Sequence, residues 1–150
     1  MTLRTATAVI DLHALNNNYR LIQSLSPDAK VLAVLKANGY GHGLERIANA
    51  LPDADAFGVA RLDEALALRS AGIEKPIVLL EGFFAKEDIE TLALNSLETI
   101  VHNEQQLDVI INAKLAKPLK VWLKIDTGMH RLGINPKQLP YFYRALSQSK

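Results

Sequence analysis

Apolar, β-branched runs alternate along this chain with stretches whose apolar residues recur every three or four positions. The run TAVIDL, within Thr5–Leu12, opens the series and reads as a strand. From Leu12 to Leu25 the residues Leu15, Tyr19, Ile22 and Leu25 share one helical face, and Ser26-Pro27-Asp28 stops that helix. Further strand-like runs begin at Val31 (VLAVLKA), Ala56 (AFGVA), Pro76 (PIVLLEG), Glu98 (ETIVH) and Lys120 (KVWLKID). Helical patterns fill the gaps: His42–Leu51, Arg61–Ala71, Lys86–Leu94, Asn103–Ala116, and from Pro136 onward. The strand starts recur every 22 residues or so, about the length of one strand, one helix and two short loops.

Strands joined through helices run parallel, because a tight hairpin cannot make that crossover. The runs are mostly apolar, as a sheet covered on both faces requires. Two architectures accommodate about five such units. One is an open doubly wound sheet. The other is part of a (β/α)8 barrel, whose closure needs eight strands and ~250 residues. Periodicity does not choose between them.

Composition narrows the function classes. The chain has 150 residues, 49% hydrophobic and 22% charged, which excludes intrinsic disorder. Seventeen basic residues against 16 acidic ones leave a formal charge of +1, so nothing favours nucleic acid or an acidic membrane surface. Cysteine is absent, which removes disulfides, thiolate metal sites and a cysteine nucleophile. No metal site is expected. The opening residues carry Asp11 inside their apolar stretch, unlike a signal peptide, and no apolar run approaches ~20 residues. A cytoplasmic protein is the expectation.

The chemistry concentrates in Lys36-Ala37-Asn38-Gly39-Tyr40-Gly41-His42-Gly43. Strand alternation puts Leu32, Val34 and Lys36 on one face, with Lys36 at the carboxyl end of the strand, where parallel α/β folds bind ligands. The alternative is a lysine that has left the strand and points to water. Three glycines in five positions allow close backbone approach or positive φ. Tyr40 offers a phenol, and His42 lies near the start of a helix, whose N–H groups favour an anion; His42 alone reads as a capping or packed residue. A lysine beside such a loop suits an aldehyde cofactor carrying a phosphate. A free lysine with pKa ~10.4 is neutral about once in 2,500 molecules at pH 7, a penalty of roughly 4.6 kcal/mol, and burial reduces that penalty.

This segment resembles the pyridoxal-phosphate lysine signature of the alanine racemase family (fold type III, enteric biosynthetic type), which usually reads K-A-N-A-Y-G-H-G. Here Gly39 stands where alanine is usual. The resemblance extends through Asp53–Arg61, Leu79–Phe84 and Lys124–Gly133, and covers essentially the whole chain. It implies that the chain is the N-terminal part of a (β/α)8 TIM barrel, about five βα units, preceded by one strand that in the family belongs with a C-terminal β domain. It also implies interconversion of L- and D-alanine, supplying D-alanine for peptidoglycan, by a homodimer that uses pyridoxal 5'-phosphate. By the same resemblance Lys36 holds the cofactor as an internal aldimine and then acts as the base on one face of Cα. Tyr40 matches a tyrosine at the cofactor phosphate, and Arg131 an arginine near the phenolic oxygen and the substrate carboxylate. Lys124 matches a lysine often carbamylated in the family.

Read without the family, Lys124 fits an ion pair with Asp126 or another carboxylate at least as well, and Arg131 fits a solvated loop. His13, His102 and His130 read as structural or solvated, and Asp63 and Glu64 as the first turn of a helix. Racemisation needs two proton-transfer groups on opposite faces of a planar carbanion. The family's second group, a tyrosine of the C-terminal domain acting across the dimer, matches nothing in this sequence. Residues 1–150 are therefore expected to be an incomplete racemase barrel domain with little or no turnover by itself. Its open sheet edges and uncovered inner face are expected to promote self-association. The competing functions are a non-catalytic pyridoxal-phosphate homeostasis barrel and a small doubly wound binding domain. The second lacks a G-x-G-x-x-G after its first strand.

Overall fold

A computed structural model describes residues 6–149 of the chain. The elements follow the predicted alternation: α1 (Leu12–Leu25), β1 (Leu32–Val34), the one-turn α2 (Lys36–Tyr40), α3 (Leu44–Ala50), β2 (Ala56–Val59), α4 (Leu62–Ser70), β3 (Ile77–Leu79), α5 (Asp88–Leu94), β4 (Glu98–Val101), α6 (Glu104–Ile111), β5 (Val121–Leu123), a 3-10 turn (Pro136–Gln138) and α7 (Leu139–Gln148). The five strands form one sheet in the order β1-β2-β3-β4-β5, every pair parallel. That order removes the doubly wound alternative. A doubly wound sheet reverses its strand order at a switch point, and none exists here.

Consecutive order has a further consequence. Right-handed crossovers then place every helix on the same side of the sheet. The core records this: Phe57, Val59, Ile77, Leu79 and Val101 are fully buried in one cluster with Leu68, Leu92 and Leu107 of α4, α5 and α6. The opposite face holds the alternate residues. There Val34 on β1 is 38% exposed and Trp122 on β5 47%, while Val78 and Ile100 on the middle strands are buried. The expected bare inner face is thus bare only at its flanks. On this face the buried carboxylate of Glu98 accepts from Lys120 Nζ at 2.9 Å and Trp122 Nε1 at 2.6 Å, which accounts for an acid in that position.

One expected element is missing and another is shorter. Residues 6–11 of the proposed opening strand form no strand, and Thr5 lies outside the described residues. A strand needs a partner for its N–H and C=O groups, and no described strand pairs with this segment. Its last residue does other work: Asp11 caps α1, accepting from His13 N at 2.9 Å and Ala14 N at 3.0 Å. Those two bonds, Ala14's the larger influence, hold the Asp11 carboxyl below its ordinary value. The predicted helix Asn103–Ala116 also ends early, at Ile111, where the Asn112 side chain turns back to Asp108 O.

Arg69 at the end of α4 ties two units together. Its guanidinium donates to the carbonyls of Asn95 (3.0 Å), Ile73 (2.6 Å), Lys75 (2.8 Å) and Ser96 (2.9 Å). Arg69→Ala is expected to lower stability by about 2–4 kcal/mol, because half-buried carbonyls lose charge-assisted donors. Arg69→Lys should recover only part, since an ammonium cannot reproduce the fork. Denaturant midpoints measure both, and an unchanged midpoint for Arg69→Ala would refute the assignment.

Candidate active site

Two segments at the carboxyl end of the sheet carry the residues singled out by the sequence. The first follows β1. The strand ends at Val34 and the buried Leu35 follows it, so Lys36 stands two residues past the strand, at the start of α2, and is half-buried. The strand-end placement expected for it is corrected by that much. From Ala37 to Tyr40 the backbone is left-handed, with φ of 53°, 55°, 61° and 53°. Such a conformation costs about 1–2 kcal/mol for each L-residue. Gly39 escapes most of that cost, so the glycine at the position where the family usually has alanine suits the backbone found there.

The turn is closed by its own polar groups. Gly39 N donates to Leu35 O at 2.7 Å, and Gly41 N to Ala37 O at 3.0 Å. His42 N reaches Gly39 O at 3.0 Å, with His42 Nδ1 at 2.9 Å from the same oxygen. Asn38 Oδ1 accepts from Leu44 N at 2.9 Å, capping the start of α3. His42 therefore fastens the loop, while the side chain that caps α3 is that of Asn38. One bond comes from elsewhere in the fold: Ala37 N donates to Glu64 Oε1 of α4 at 2.6 Å. Tyr40 is 59% exposed. With His42 it lines a groove of about 790 Å³ between α1 and the edge of β1 that no described strand pairs. Lys36, Lys124 and Arg131 do not line that groove, which reflects the unpaired strand edge more than the chemistry.

The second segment follows β5. Lys124 is half-buried, its backbone N–H continuing the ladder to Val101 O at 2.9 Å. The alternative ion pair with Asp126 does not form. The Asp126 carboxylate is taken up by its own loop, Oδ1 accepting from Gly128 N and His130 N, both at 3.0 Å, and Oδ2 lying 2.9 Å from His130 Nδ1. Those bonds, Gly128's first, hold its carboxyl at about 2. The chain then returns: Ile134 N donates to Lys124 O and Asp126 N to Ile134 O, each at 2.9 Å. Arg131 sits exposed at the tip of this closed loop. Among the described residues Lys36, Lys124 and Arg131 take part in no ion pair.

A depressed carboxyl contributes stability above its unfolded value of 3.8, and loses it as pH falls through the folded value. The bonds from Gly128 and His130 should thus stay constant from neutral pH to about 4 and fail near 2. Amide proton shifts of Gly128 and His130 report this, and a midpoint at the ordinary 3.8 would show the loop to be open.

The structure thus brings Lys36 and Tyr40 into one turn, and Lys124, Asp126 and Arg131 into one loop. The two lie at the same end of the sheet on opposite flanks, four strand spacings or about 19 Å apart measured along the sheet. A curled sheet shortens that gap across its concave face. An amine, a phenol and a guanidinium with no internal ion pair fit the donor set that a phosphorylated aldehyde cofactor would need.

The comparisons decide the family. A family model described as alanine racemase, N-terminal domain, matches residues 10–150. The chain belongs to the alanine racemase family. Alanine racemase of Haemophilus influenzae is 54% identical over 149 residues, 99% of this chain and 41% of that protein. The biosynthetic alanine racemase of Escherichia coli K12 is 53% identical over 148 residues, again 99% and 41%. Among solved structures, the biosynthetic alanine racemase of Pseudomonas aeruginosa superposes with a TM-score of 0.88 at 38% identity, covering 93% of this chain and 39% of that one. A histidine racemase from Leuconostoc mesenteroides superposes at 0.85 with 29% identity, covering 93% and 38%. The chain therefore spans about two fifths of the length of the alanine racemases it matches, and its five-stranded sheet is the first part of their (β/α)8 barrel.

Glu64 is the site residue that sequence reasoning passed over. An acid in the first turn of a helix reads as a dipole partner, and nothing in the local sequence signals that it reaches a neighbouring unit.

Proposed function

We propose that this segment carries the lysine half of a pyridoxal-phosphate-dependent racemase acting on alanine. The observation that carries the reading is Lys36. It is half-buried, outside every described ion pair, and backed by a strained turn in the middle of the family's lysine signature. Strain of this kind persists where surrounding structure over-determines it, and that occurs at functional sites.

In this reading Lys36 would hold the cofactor's aldehyde carbon, Tyr40 its phosphate, and Arg131 its phenolic oxygen together with the substrate carboxylate. The bound cofactor supplies an electron sink for the pair left at Cα when its proton departs. The chain's own residues do the rest. Lys36 Nζ takes or returns the proton on one face of Cα. Arg131, permanently charged and planar, orients the carboxylate. Asp126 holds the loop that presents Arg131, and Lys124, if carbamylated, would give Arg131 an anionic neighbour. The second proton-transfer group belongs to the remainder of the longer racemase, across its dimer interface. Residues 1–150 by themselves are then an incomplete barrel domain that exchanges the Cα proton poorly and does not invert the configuration at Cα.

The relatives' names support alanine over other amino acids, while the histidine racemase neighbour indicates that this part of the barrel serves more than one side chain. A role in supplying D-alanine for peptidoglycan in the cytoplasm follows from the family reading. No helix among the described residues is long and apolar enough to cross a membrane.

The test is chemical. Pyridoxal phosphate is added, the new C–N bond is reduced with borohydride, and the adduct is mapped. Label concentrated on Lys36 supports the reading. On a folded sample, label spread over exposed lysines such as Lys30 and Lys137 in proportion to their exposure removes it.

A further inference from the structure

We propose that Glu64 is a positioning residue for Lys36. Its carboxylate, reaching from the second βα unit, sets where the lysine amine stands. The inference rests on the reading of Lys36 as the cofactor lysine.

The hydrogen bonds internal to the turn begin and end between residues 35 and 44. They define the turn's shape but not its placement on the sheet. The last ladder bond, Leu35 N to Gly58 O at 2.8 Å, lies before Lys36. Beyond it, the one hydrogen bond among the described residues that joins residues 36–43 to another βα unit is Ala37 N to Glu64 Oε1 at 2.6 Å. The other carboxylate oxygen, Oε2, accepts from Ala60 N at 2.9 Å and Arg61 N at 3.2 Å. One side chain thus staples the carboxyl end of β1 to the carboxyl end of β2.

The position of the donor matters. The N–H of Ala37 belongs to the peptide plane that contains the Lys36 carbonyl. With Leu35 held to the sheet by its own N–H, holding that plane as well restrains the torsions of Lys36 between the two anchors, and with them the direction of its Cα–Cβ bond. A helix cap would need only Oε2; the bond to Ala37 is additional to capping. Asp63, the neighbouring acid, instead pairs with the exposed Arg61 at 3.0 Å and touches nothing in the turn.

The experiment compares the full chain with its Glu64→Ala, Glu64→Gln and Asp63→Asn variants. Two quantities are read: hydrogen exchange of the Ala37 amide, and the ratio of borohydride-trapped pyridoxal phosphate at Lys36 to that at exposed Lys137. A merely structural loss lowers the thermal midpoint without moving the ratio. Positioning moves it. Glu64→Ala is expected to speed Ala37 exchange about tenfold or more and to lower the Lys36-to-Lys137 ratio about fivefold. Glu64→Gln, with one carbonyl oxygen to offer, should fall between, and Asp63→Asn should match the parent. If Glu64→Ala does not fold, Glu64→Gln decides. Unchanged exchange and ratio in a folded Glu64 variant overturn the proposal while leaving Lys36 as the cofactor lysine. A parent chain that never labels Lys36 removes the cofactor reading instead, and Ala37 exchange then decides by itself whether Glu64 places the turn.

Discussion

Lys36→Ala is expected to abolish borohydride-trapped attachment of pyridoxal phosphate at this site while leaving the circular dichroism spectrum unchanged. The fold should survive because Lys36 joins no described ion pair, and because the turn is held by the backbone and by Asn38, His42 and Glu64. Lys36→Arg sharpens the test. It keeps the positive charge but replaces an amine with a guanidinium, which is not a nucleophile at neutral pH. Both variants should therefore fail alike if the amine itself forms the bond. If charge alone attracted the phosphate, the arginine variant would keep binding. In a longer racemase that contains this segment, loss of the base alone should slow Cα proton exchange on the order of 10²–10⁴-fold. Undiminished attachment in folded Lys36→Ala would move the chemistry elsewhere, with Lys124 the first place to look.

The second large effect concerns two glycines in one loop. Gly128 and Gly133 have nearly the same φ, 138° and 135°. A side chain at Gly128 would meet nothing within 4 Å, whereas a Cβ at Gly133 would lie 2.5 Å from Asp126 N and 2.9 Å from Ile125 C. Gly128→Ala should thus cost only conformational strain, about 1–3 kcal/mol. Gly133→Ala must in addition push apart the Asp126 N to Ile134 O bond and the bridge between Ile125 and Ile134, for a total of about 3–5 kcal/mol. Denaturant midpoints of the pair separate the two contributions. Equal losses would show that crowding at Gly133 is relieved by loop movement. Because Arg131 lies between these glycines, Gly133→Ala should also disorder the guanidinium's surroundings, visible as faster amide exchange from Asp126 to Ile134.

Much of the fold was legible in the alternation of apolar runs with helical spacing. Each predicted strand from Val31 onward coincides with an observed one, shortened by a residue or more at one end or both. Shortening is what a strand with few neighbours beyond its central residues should show. The opening segment failed for a physical reason: TAVIDL has strand composition, but a strand exists only with a partner, and Asp11 found another use as a helix cap.

Residue chemistry around Lys36 was legible too, because a lysine, three glycines, a tyrosine and a histidine within eight positions form a dense local signal. What stayed hidden involved contacts between units. The Lys124–Asp126 pairing was plausible from strand alternation, yet Asp126 turns into its own loop, where two backbone donors and His130 compete successfully. The Asx-type D-x-G spacing at Asp126 was the available signal for that loop.

The sequence by itself determined the unit repeat and the reactive motif, since each depends on neighbours a few residues apart. Tertiary structure decided the consecutive strand order that separates a barrel from a doubly wound sheet, and the bond from Glu64 to Ala37 that fixes the peptide plane beside Lys36. Those facts join residues 20 to 30 positions apart, and only the folded path of the chain sets which of many compatible donors and acceptors meet.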